Sequence, residues 1–483
     1  MVRGALLTGM GQGAAALLQL LFIVVMARLL QPRDFGLMAM IYPLILFATL
    51  LQDGGLTSAV IQRDRIDAGE LSTLFWVNLS IGAALAAILV AGAPLVAAFY
   101  GDPRLVPLTM ASGGLIVLGA LAVQHLALLN RKMHYGRMVA IDLTANVAGL
   151  VAAIGVALIH PSYWAIWVRA AATGGTTFLM AWLLSGWTPG RPAPLAKVRD
   201  LVGFGGNMLG FSLCNFAARN LDNILIGRVW GSVPLGLYDR GYRIASLPLL
   251  FVNAPLNRVV TPVLVRTRNE AARYRTVFLS TLQSALLVTV PLIAFAVASP
   301  ERVILIVLGK HWLAAAPILT WLAAAVSLQL VTNPLGWLYV SQGRSREMMW
   351  VGAFNSALIC AGFAVGLPWG PEGVARIYVV TTALVMPVLF WRATRRGPVR
   401  LADLLGALAP FAPAMLAAGV AVAMLDRSYA PAGVLGTALL LAAAYAVAFA
   451  ILAAMPVGRA ALLRLREAAR GLQLVPARQE QMR

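Results

Sequence analysis

The sequence predicts an all-α integral membrane protein of about 14 transmembrane helices, built as two pseudo-symmetric six-helix bundles plus two C-terminal helices. Three observations carry this expectation. The 483 residues are 60% hydrophobic and 12% charged, with a mean hydropathy of +0.82, whereas soluble domains run near about 25% charged. Apolar runs of spanning length recur along the whole chain, and cations gather in alternate connections between them. At roughly 20 apolar residues per crossing, little length remains for an extramembrane domain, which excludes most soluble enzyme architectures.

Taken in order, the first runs fall near residues 5–30, 36–61, 72–99, 105–129, 137–159 and 162–186, an N-terminal lobe spanning 1–186. The first run is too long for a signal peptide core and lacks a small-residue cleavage site, so it reads as a retained helix. Residues 187–200 are Pro-rich, carry Arg191, Lys197 and Arg199, and have no apolar periodicity, as a cytoplasmic linker would. A second set at 201–230, 234–265, 275–299, 312–341, 347–367 and 370–391 forms a C-terminal lobe, 201–392. Two further runs, 403–425 and 431–455, occupy 393–455. Residues 456–483 repeat Arg among Leu and Ala, which suits either an amphipathic helix on the anionic inner leaflet or a solvated basic tail.

A formal charge of +20 would suggest nucleic acid in a soluble chain. Here 35 of the 38 cations are Arg, spread over short connections, so no nucleic-acid partner is expected. With the N-terminus in the cytoplasm, 25 cations fall in inside segments, 7 in outside connections and 6 within or at the ends of helices. That bias supports an even number of crossings with both termini cytoplasmic. Cys214 and Cys360 both lie in apolar segments and read as small core residues.

The two six-helix sets look like copies. A shift of 200 residues sets Arg28-Leu-Leu-Gln-Pro-Arg-Asp-Phe-Gly36-Leu37 against Arg228-Val-Trp-Gly-Ser-Val-Pro-Leu-Gly236-Leu237, with the Arg and the Gly-Leu pair coinciding. Even-numbered repeats of the same sense give two lobes related by an axis along the membrane normal, with a cavity between them.

Several stretches resemble the polysaccharide transporter (Wzx-like flippase) branch of the multidrug/oligosaccharidyl-lipid/polysaccharide exporter superfamily. They are the turn from Ala27 to Leu37, the run Asp53-Gly-Gly-Leu-Thr-Ser-Ala-Val-Ile-Gln-Arg, and Leu128-Leu-Asn-Arg-Lys-Met-His-Tyr. Leu221-Asp-Asn-Ile-Leu-Ile-Gly-Arg, Leu235-Gly-Leu-Tyr-Asp-Arg-Gly-Tyr-Arg and Leu247-Pro add to them. The resemblance covers the first twelve helices and fades in the last two. It implies a bacterial inner-membrane carrier that flips a polyprenyl-pyrophosphate-linked oligosaccharide from the cytoplasmic to the periplasmic face for O-antigen, capsule or exopolysaccharide synthesis. Membrane lipids and, as partners, a polysaccharide polymerase and chain-length machinery go with that role.

A carrier of an anionic headgroup needs cations where lipid would forbid them, each Arg near a helix centre costing about 2.5–3.5 kcal/mol on insertion scales. In the seventh helix Asn215, Arg219 and Asp222 fall at i, i+4 and i+7, one polar stripe. Arg219 either faces a cavity, tuned by Asp222, or simply pairs with it. The eighth helix adds Arg240, Arg243, Asn257 and Arg258, with Pro248 and Pro255 expected to kink it. Arg240 and Arg243 lie near the outer end, where snorkelling competes with headgroup contact, and Arg258 is better placed. Planar guanidinium donors suit a pyrophosphate because they engage two oxygens at once.

Thr8, Gln12 and Gln19 share one face of the first helix, and Gln329, Asn333 and Asn355 add amides later. Amides bond sugar hydroxyls or join helices. Asp53, read near the middle of the second helix beside Gln52, and Asp222 are the ion-coupling candidates, for sodium or protons. For Asp53 the competing readings are capping by the Gly54 and Gly55 amides, or an Arg partner. Trp164, Trp167, Trp182, Trp187, Trp312 and Trp337 flank helix ends as interfacial belts would.

No Walker loop, metal-ligand cluster or nucleophile triad is legible, and His125, His134, His160 and His311 are scattered. No cofactor, metal site or catalytic group is expected, and energy would come from gradients or from the cargo. The alternatives are a small-molecule exporter of the same superfamily, expected to line its cavity with acids, and a membrane polymerase or ligase. An enzyme of that kind usually needs a large outside loop, whereas the longest here, around Pro300 to His311, is short.

Overall fold

The computed structural model describes residues 2–54, 57, 60, 66–194, 216, 219–428, 433–456 and 458–460. Among them no strand occurs. Ten helical stretches among the described residues are long and apolar enough to cross a membrane, and one of them, Ser345–Thr394, covers two of the expected runs. The chain divides into two compact units. One holds Met1–Arg240 with Val307–His311 and Phe363–Val374, and the other holds Gly241–Ile306, Trp312–Gly362 and Ala375–Arg483.

The first unit contains α1 (Val2–Leu29), α2 (Pro32–Asp53), α3 (Ala68–Ala91), α4 (Ala93–Tyr100), α5 (Leu105–Arg131), α6 (Tyr135–Ile159) and α7 (Tyr163–Ser185). Residues 219–230, α8, and the start of α9 (Ser232–Ala245) follow. Local chemistry sets the boundaries. Asp67 begins α3 by accepting from the Glu70 amide at 2.7 Å, while Glu70 accepts from the Asp67 amide at 3.1 Å. Gly54, Gly101 and Gly186 end α2, α4 and α7 in the left-handed region, which glycine reaches without a Cβ clash. The run expected at 72–99 is two helices, broken at Gly92 ahead of Pro94.

Within this unit α6 packs on α7 and α1, and α5 packs on α3 and α7. A Cβ on Gly149 of α6 would overlap the Thr173 hydroxyl of α7, so only glycine allows that approach. The first part of the expected linker is strapped to α3. Trp76 donates its indole N–H to the Gly190 carbonyl at 3.1 Å, Thr73 donates to the Ala193 carbonyl at 3.0 Å, and the Gly190 amide donates to Ser72 at 3.0 Å.

The second unit contains the rest of α9 together with α10 (Leu247–Thr267), α11 (Ala271–Ala298), most of α12 (Pro300–Val307) and a 3-10 turn at Lys310–Ala315. Then come α13 (Ala316–Thr332), α14 (Leu335–Ser341), most of α15 (Ser345–Gly366), most of α16 (Gly370–Thr394), α17 (Leu401–Leu408), α18 (Phe411–Ser428) and α19 (Gly433–Ala454). The runs expected as single helices at 234–265, 312–341 and 403–425 are interrupted beside Pro248, Pro334 and Pro410, each of which removes a backbone donor.

α11 is the centre of this unit, packing on α10, α13, α18 and α19, with Tyr274, Phe278, Leu282 and Leu286 buried along it. The two C-terminal helices are tied on by polar contacts too: Tyr445 donates to the Val288 carbonyl at 2.8 Å, and Arg302 pairs with Asp426 at 2.9 Å. As Gly149 does in the first unit, Gly362 lies where a Cβ would overlap a threonine hydroxyl of the next long helix, here Thr381.

Trp312 and Trp337, expected in an interfacial belt, are core residues at 0% and 5% exposure, and Trp337 meets the Phe278 ring edge-on at 6.3 Å. The physical reason is area: a buried indole removes far more apolar surface from solvent than an aliphatic side chain can. Trp182 is anchored through its indole N–H to the Leu121 carbonyl at 3.1 Å and packs against His125 and Phe75.

Candidate functional site

The polar groups with most to say about function collect where the α1–α2 turn meets α8 and α9. The two glycines matched by the sequence repeat contact each other's segments here. A Cβ on Gly36 would overlap the Ser232 carbonyl oxygen, and a Cβ on Gly236 would overlap the Pro32 carbonyl oxygen and lie 3.1 Å from the Gly36 amide nitrogen. Ser232 is the repeat mate of Pro32, so the contact is reciprocal: residue i meets j′ while i′ meets j. An isologous contact has this reciprocal form.

Around it lies a buried cluster. Asp222 of α8, Tyr238, Asp239 and Arg240 of α9, and Phe35 of α2 are all under a tenth exposed. Tyr238 donates its hydroxyl to Asp222 Oδ2 at 3.0 Å, and the Asn223 amide donates to Asp222 Oδ1 at 2.9 Å. Arg240 donates from Nε to Asp239 Oδ2 at 2.9 Å, and its guanidinium carbon stands 4.4 Å from the Phe35 ring centroid. The arrangement can hold a carboxylate and an ion pair away from lipid because every charge has a directed partner.

The sequence-predicted residues fare differently. Asp222 and Arg240 come together through Tyr238 and Asp239. Arg240 does not snorkel: at 6% exposure it is locked between a carboxylate and a ring. Arg219 is exposed at the start of α8, and Arg243 is half-buried in the second unit. Gln12 and Gln19 are half-buried on α1. Asn215, Cys214 and most of the tail lie outside the described residues, as do the side chains of Thr8, whose backbone is in α1, and of Asn257 and Arg258, whose backbone is in α10.

Asp53 is not near the middle of its helix. It is the last residue of α2, because Gly54 turns left-handed there, and its carboxylate accepts from the Thr57 amide at 3.2 Å and from the Thr57 hydroxyl. Among the described residues the cap comes from Thr57, while the Gly54 amide is spent on the Leu50 carbonyl and Gly55 lies outside the described residues. Gln329 donates to the Tyr378 hydroxyl at 2.8 Å, a helix-joining bond.

Two arginines were passed over in the sequence. Arg169 of α7 places its guanidinium carbon 3.8 Å from the Phe22 ring centroid of α1, and Arg376 of α16 lies 5.4 Å from that of Trp321 of α13. Each sits in the sixth helix of its set, a position that an Arg inside an otherwise apolar run already marks. The described residues bring together no group of three or more metal-ligating side chains.

These features define a polytopic helical membrane protein. Its fold is that of a solved lipid II flippase, MurJ, in an inward closed conformation, with a TM-score of 0.76 at 12% identity over 93% of this chain and 98% of that one. An inward-facing multidrug resistance MATE transporter gives a TM-score of 0.62 at 14% identity over 81% and 96%. In sequence, the chain is 29% identical over 301 residues to the teichuronic acid biosynthesis protein TuaB of Bacillus subtilis strain 168, a match spanning 62% of each protein. It is 24% identical over 355 residues to the lipopolysaccharide biosynthesis protein WzxC of Escherichia coli strain K12, spanning 72% of this chain and 71% of that one. Residues 25–317 match the family described as polysaccharide biosynthesis protein. The chain belongs to that family.

Proposed function

We propose that the chain is a flippase, not an enzyme, that moves a polyprenyl-pyrophosphate-linked oligosaccharide from the cytoplasmic to the periplasmic leaflet of a bacterial inner membrane. The observation that supports this most is membership of the polysaccharide biosynthesis family across residues 25–317, joined to a fold shared over 98% of a lipid II flippase chain. Both termini are cytoplasmic in this reading, which follows the cation distribution. The delivered cargo serves O-antigen, capsule or exopolysaccharide assembly, where a polymerase and chain-length machinery would receive it.

Transport proceeds by alternating access. Headgroup contact falls first to Arg219 and Arg258, with Arg240 and Arg243 after them, and Arg240 is engaged by Asp239 in this conformation. Asn215, Gln12 and Gln19 supply amides for sugar hydroxyls. Two negative charges moved outward through a full inside-negative field of 100 mV run downhill by about 4.6 kcal/mol, so potential alone biases export. Asp53 and Asp222 are the groups through which sodium or protons would be coupled.

The test is reconstitution into liposomes with defined lipid-linked oligosaccharides, scoring cleavage by an added glycosidase. Cargo becoming accessible only in protein-containing vesicles supports the reading. Sidedness equal to that of empty vesicles, across cargoes and gradients, would overturn it, and uptake of a cationic dye instead would move the chain to the multidrug exporters.

A further inference from the structure

A second charged site lies in the second unit, far along the sequence from the cluster just described. A cavity of about 790 Å³ opens where the start of α15 meets the end of α16. Five arginines and one carboxylate, Glu347, line it. Two of the arginines form its frame. Arg344 donates to Glu347 at 2.8 Å and to the carbonyls of Arg392, Ala393 and Arg396 at 2.9, 3.0 and 2.7 Å, capping the last turn of α16. Arg395 donates to Glu347 at 2.9 Å. Arg346, Arg392 and Arg396 complete the basic lining, and none of them is paired with a carboxylate among the described residues.

The rest of the lining is apolar and ordered by helix geometry. Arg346, Trp350 and Phe354 are spaced i, i+4, i+8 on one face of α15, while Val388 and Arg392 lie one turn apart on α16 and Arg396 follows just past its end. Both helices therefore grade from guanidinium at the end to ring or aliphatic carbon one to two turns in. Trp350 is 64% exposed and Phe354 50%, so this wall is open to whatever surrounds the protein. A run of positive charge capped on apolar surface matches one kind of molecule: a phosphate headgroup with acyl chain attached. A glycan headgroup fits poorly, because apart from Ser345 and Glu347 the lining offers no hydroxyl, amide or carboxyl side chain to meet sugar hydroxyls.

We infer that this cavity binds an anionic phospholipid of the bilayer, its phosphate held by Arg346, Arg392 and Arg396 and one acyl chain lying along Trp350, Phe354 and Val388. The cation distribution puts this end on the cytoplasmic side, where anionic lipid supplies the counter-charge. The bound lipid neutralises guanidinium groups that would otherwise repel one another at the α15–α16 junction.

The full-length protein in detergent, titrated separately with phosphatidylglycerol, phosphatidylcholine and inorganic phosphate, tests this by native mass spectrometry and melting temperature. Phosphatidylglycerol is expected to stay bound and raise the melting temperature, while the other two leave both unchanged. Arg346→Gln/Arg392→Gln/Arg396→Gln lowers affinity for phosphatidylglycerol roughly hundredfold. Trp350→Ala/Phe354→Ala weakens retention with the charge intact. Should the triple variant fail to fold, the single variants Arg392→Gln and Arg396→Gln give the same reading on a smaller scale. Equal retention of both phospholipids, or unchanged affinity in the variants, overturns the proposal. So does displacement of phosphatidylglycerol by an equimolar polyprenyl-pyrophosphate oligosaccharide, which would assign the cavity to cargo. Flipping that persists in variants lacking lipid leaves the transport reading standing while this one is judged on its own.

Discussion

Gly36 and Gly236 face each other's segments, and at each the space for a Cβ is filled by a backbone carbonyl of the other segment, Ser232 for Gly36 and Pro32 for Gly236. Adding one methyl to either residue forces carbon into a backbone carbonyl that has no rotamer with which to yield. Gly36→Ala and Gly236→Ala should each disrupt the α2–α9 contact at a cost of about 1–3 kcal/mol. Flipping in proteoliposomes is expected to fall about tenfold in each single variant, with the protein still inserted. Because the contact is reciprocal, the double variant should cost less than the sum of the two. Wild-type rates in both single variants would show that the contact is dispensable.

Asp222 is buried with the Tyr238 hydroxyl as one of its two described donors. Removing that hydroxyl leaves an acceptor short of a partner, so Tyr238→Phe should destabilise by about 1–3 kcal/mol. Asp222→Asn keeps the shape and one acceptor, and its melting temperature should stay closer to wild type. The two melting curves, taken side by side in one detergent, check the ordering. A larger loss in Asp222→Asn would reverse it.

The Arg240–Asp239 pair invites a double-mutant test. Arg240→Met takes the guanidinium from a buried carboxylate, and breaking a buried pair by one partner costs about 3–5 kcal/mol. Asp239→Leu added to it removes the stranded charge, so the double variant should recover most of the loss. Arg240→Lys keeps charge but loses the Nε contact with Asp239 and the planar stack on Phe35, and should fall between.

At the end of α2, Thr57 supplies both described donors to Asp53. Thr57→Val removes the hydroxyl, keeps the amide and should lower stability by about 1 kcal/mol, read as a small drop in melting temperature. Asp53→Asn should abolish the dependence of flipping on an imposed sodium or proton gradient. Unaltered gradient dependence removes Asp53 from coupling.

Much of the fold was legible because membrane insertion leaves few options: backbone polar groups must be satisfied internally, so apolar runs of the right length become helices. The repeat was legible in Gly36 and Gly236, and the structure adds why glycine is needed at both. What could not be read were depths and partners. Asp53 was placed mid-helix because the apolar run continues past it, yet Gly54 ends the helix locally. Arg240 looked peripheral by sequence distance from a boundary, yet Asp239 beside it supplies the charge that makes burial possible. The arginines at α15 and α16 counted in the sequence only as a topology signal. Their convergence on one cavity depends on two helix ends meeting, which no local pattern encodes.

The dependence of α11 on α18 and α19 has a bearing on biogenesis. In the first unit α6 and α7 are neighbours in synthesis and can close on each other as soon as they leave the ribosome. α11, by contrast, waits roughly 110 residues for α18 to appear, on the order of ten seconds at bacterial elongation rates. During that interval the flank of α11 that packs on these helices stands open to lipid or to an insertase. A chain stopped at Thr394 would leave it so permanently, and such a truncation is expected to mature poorly and to fall to membrane proteolysis.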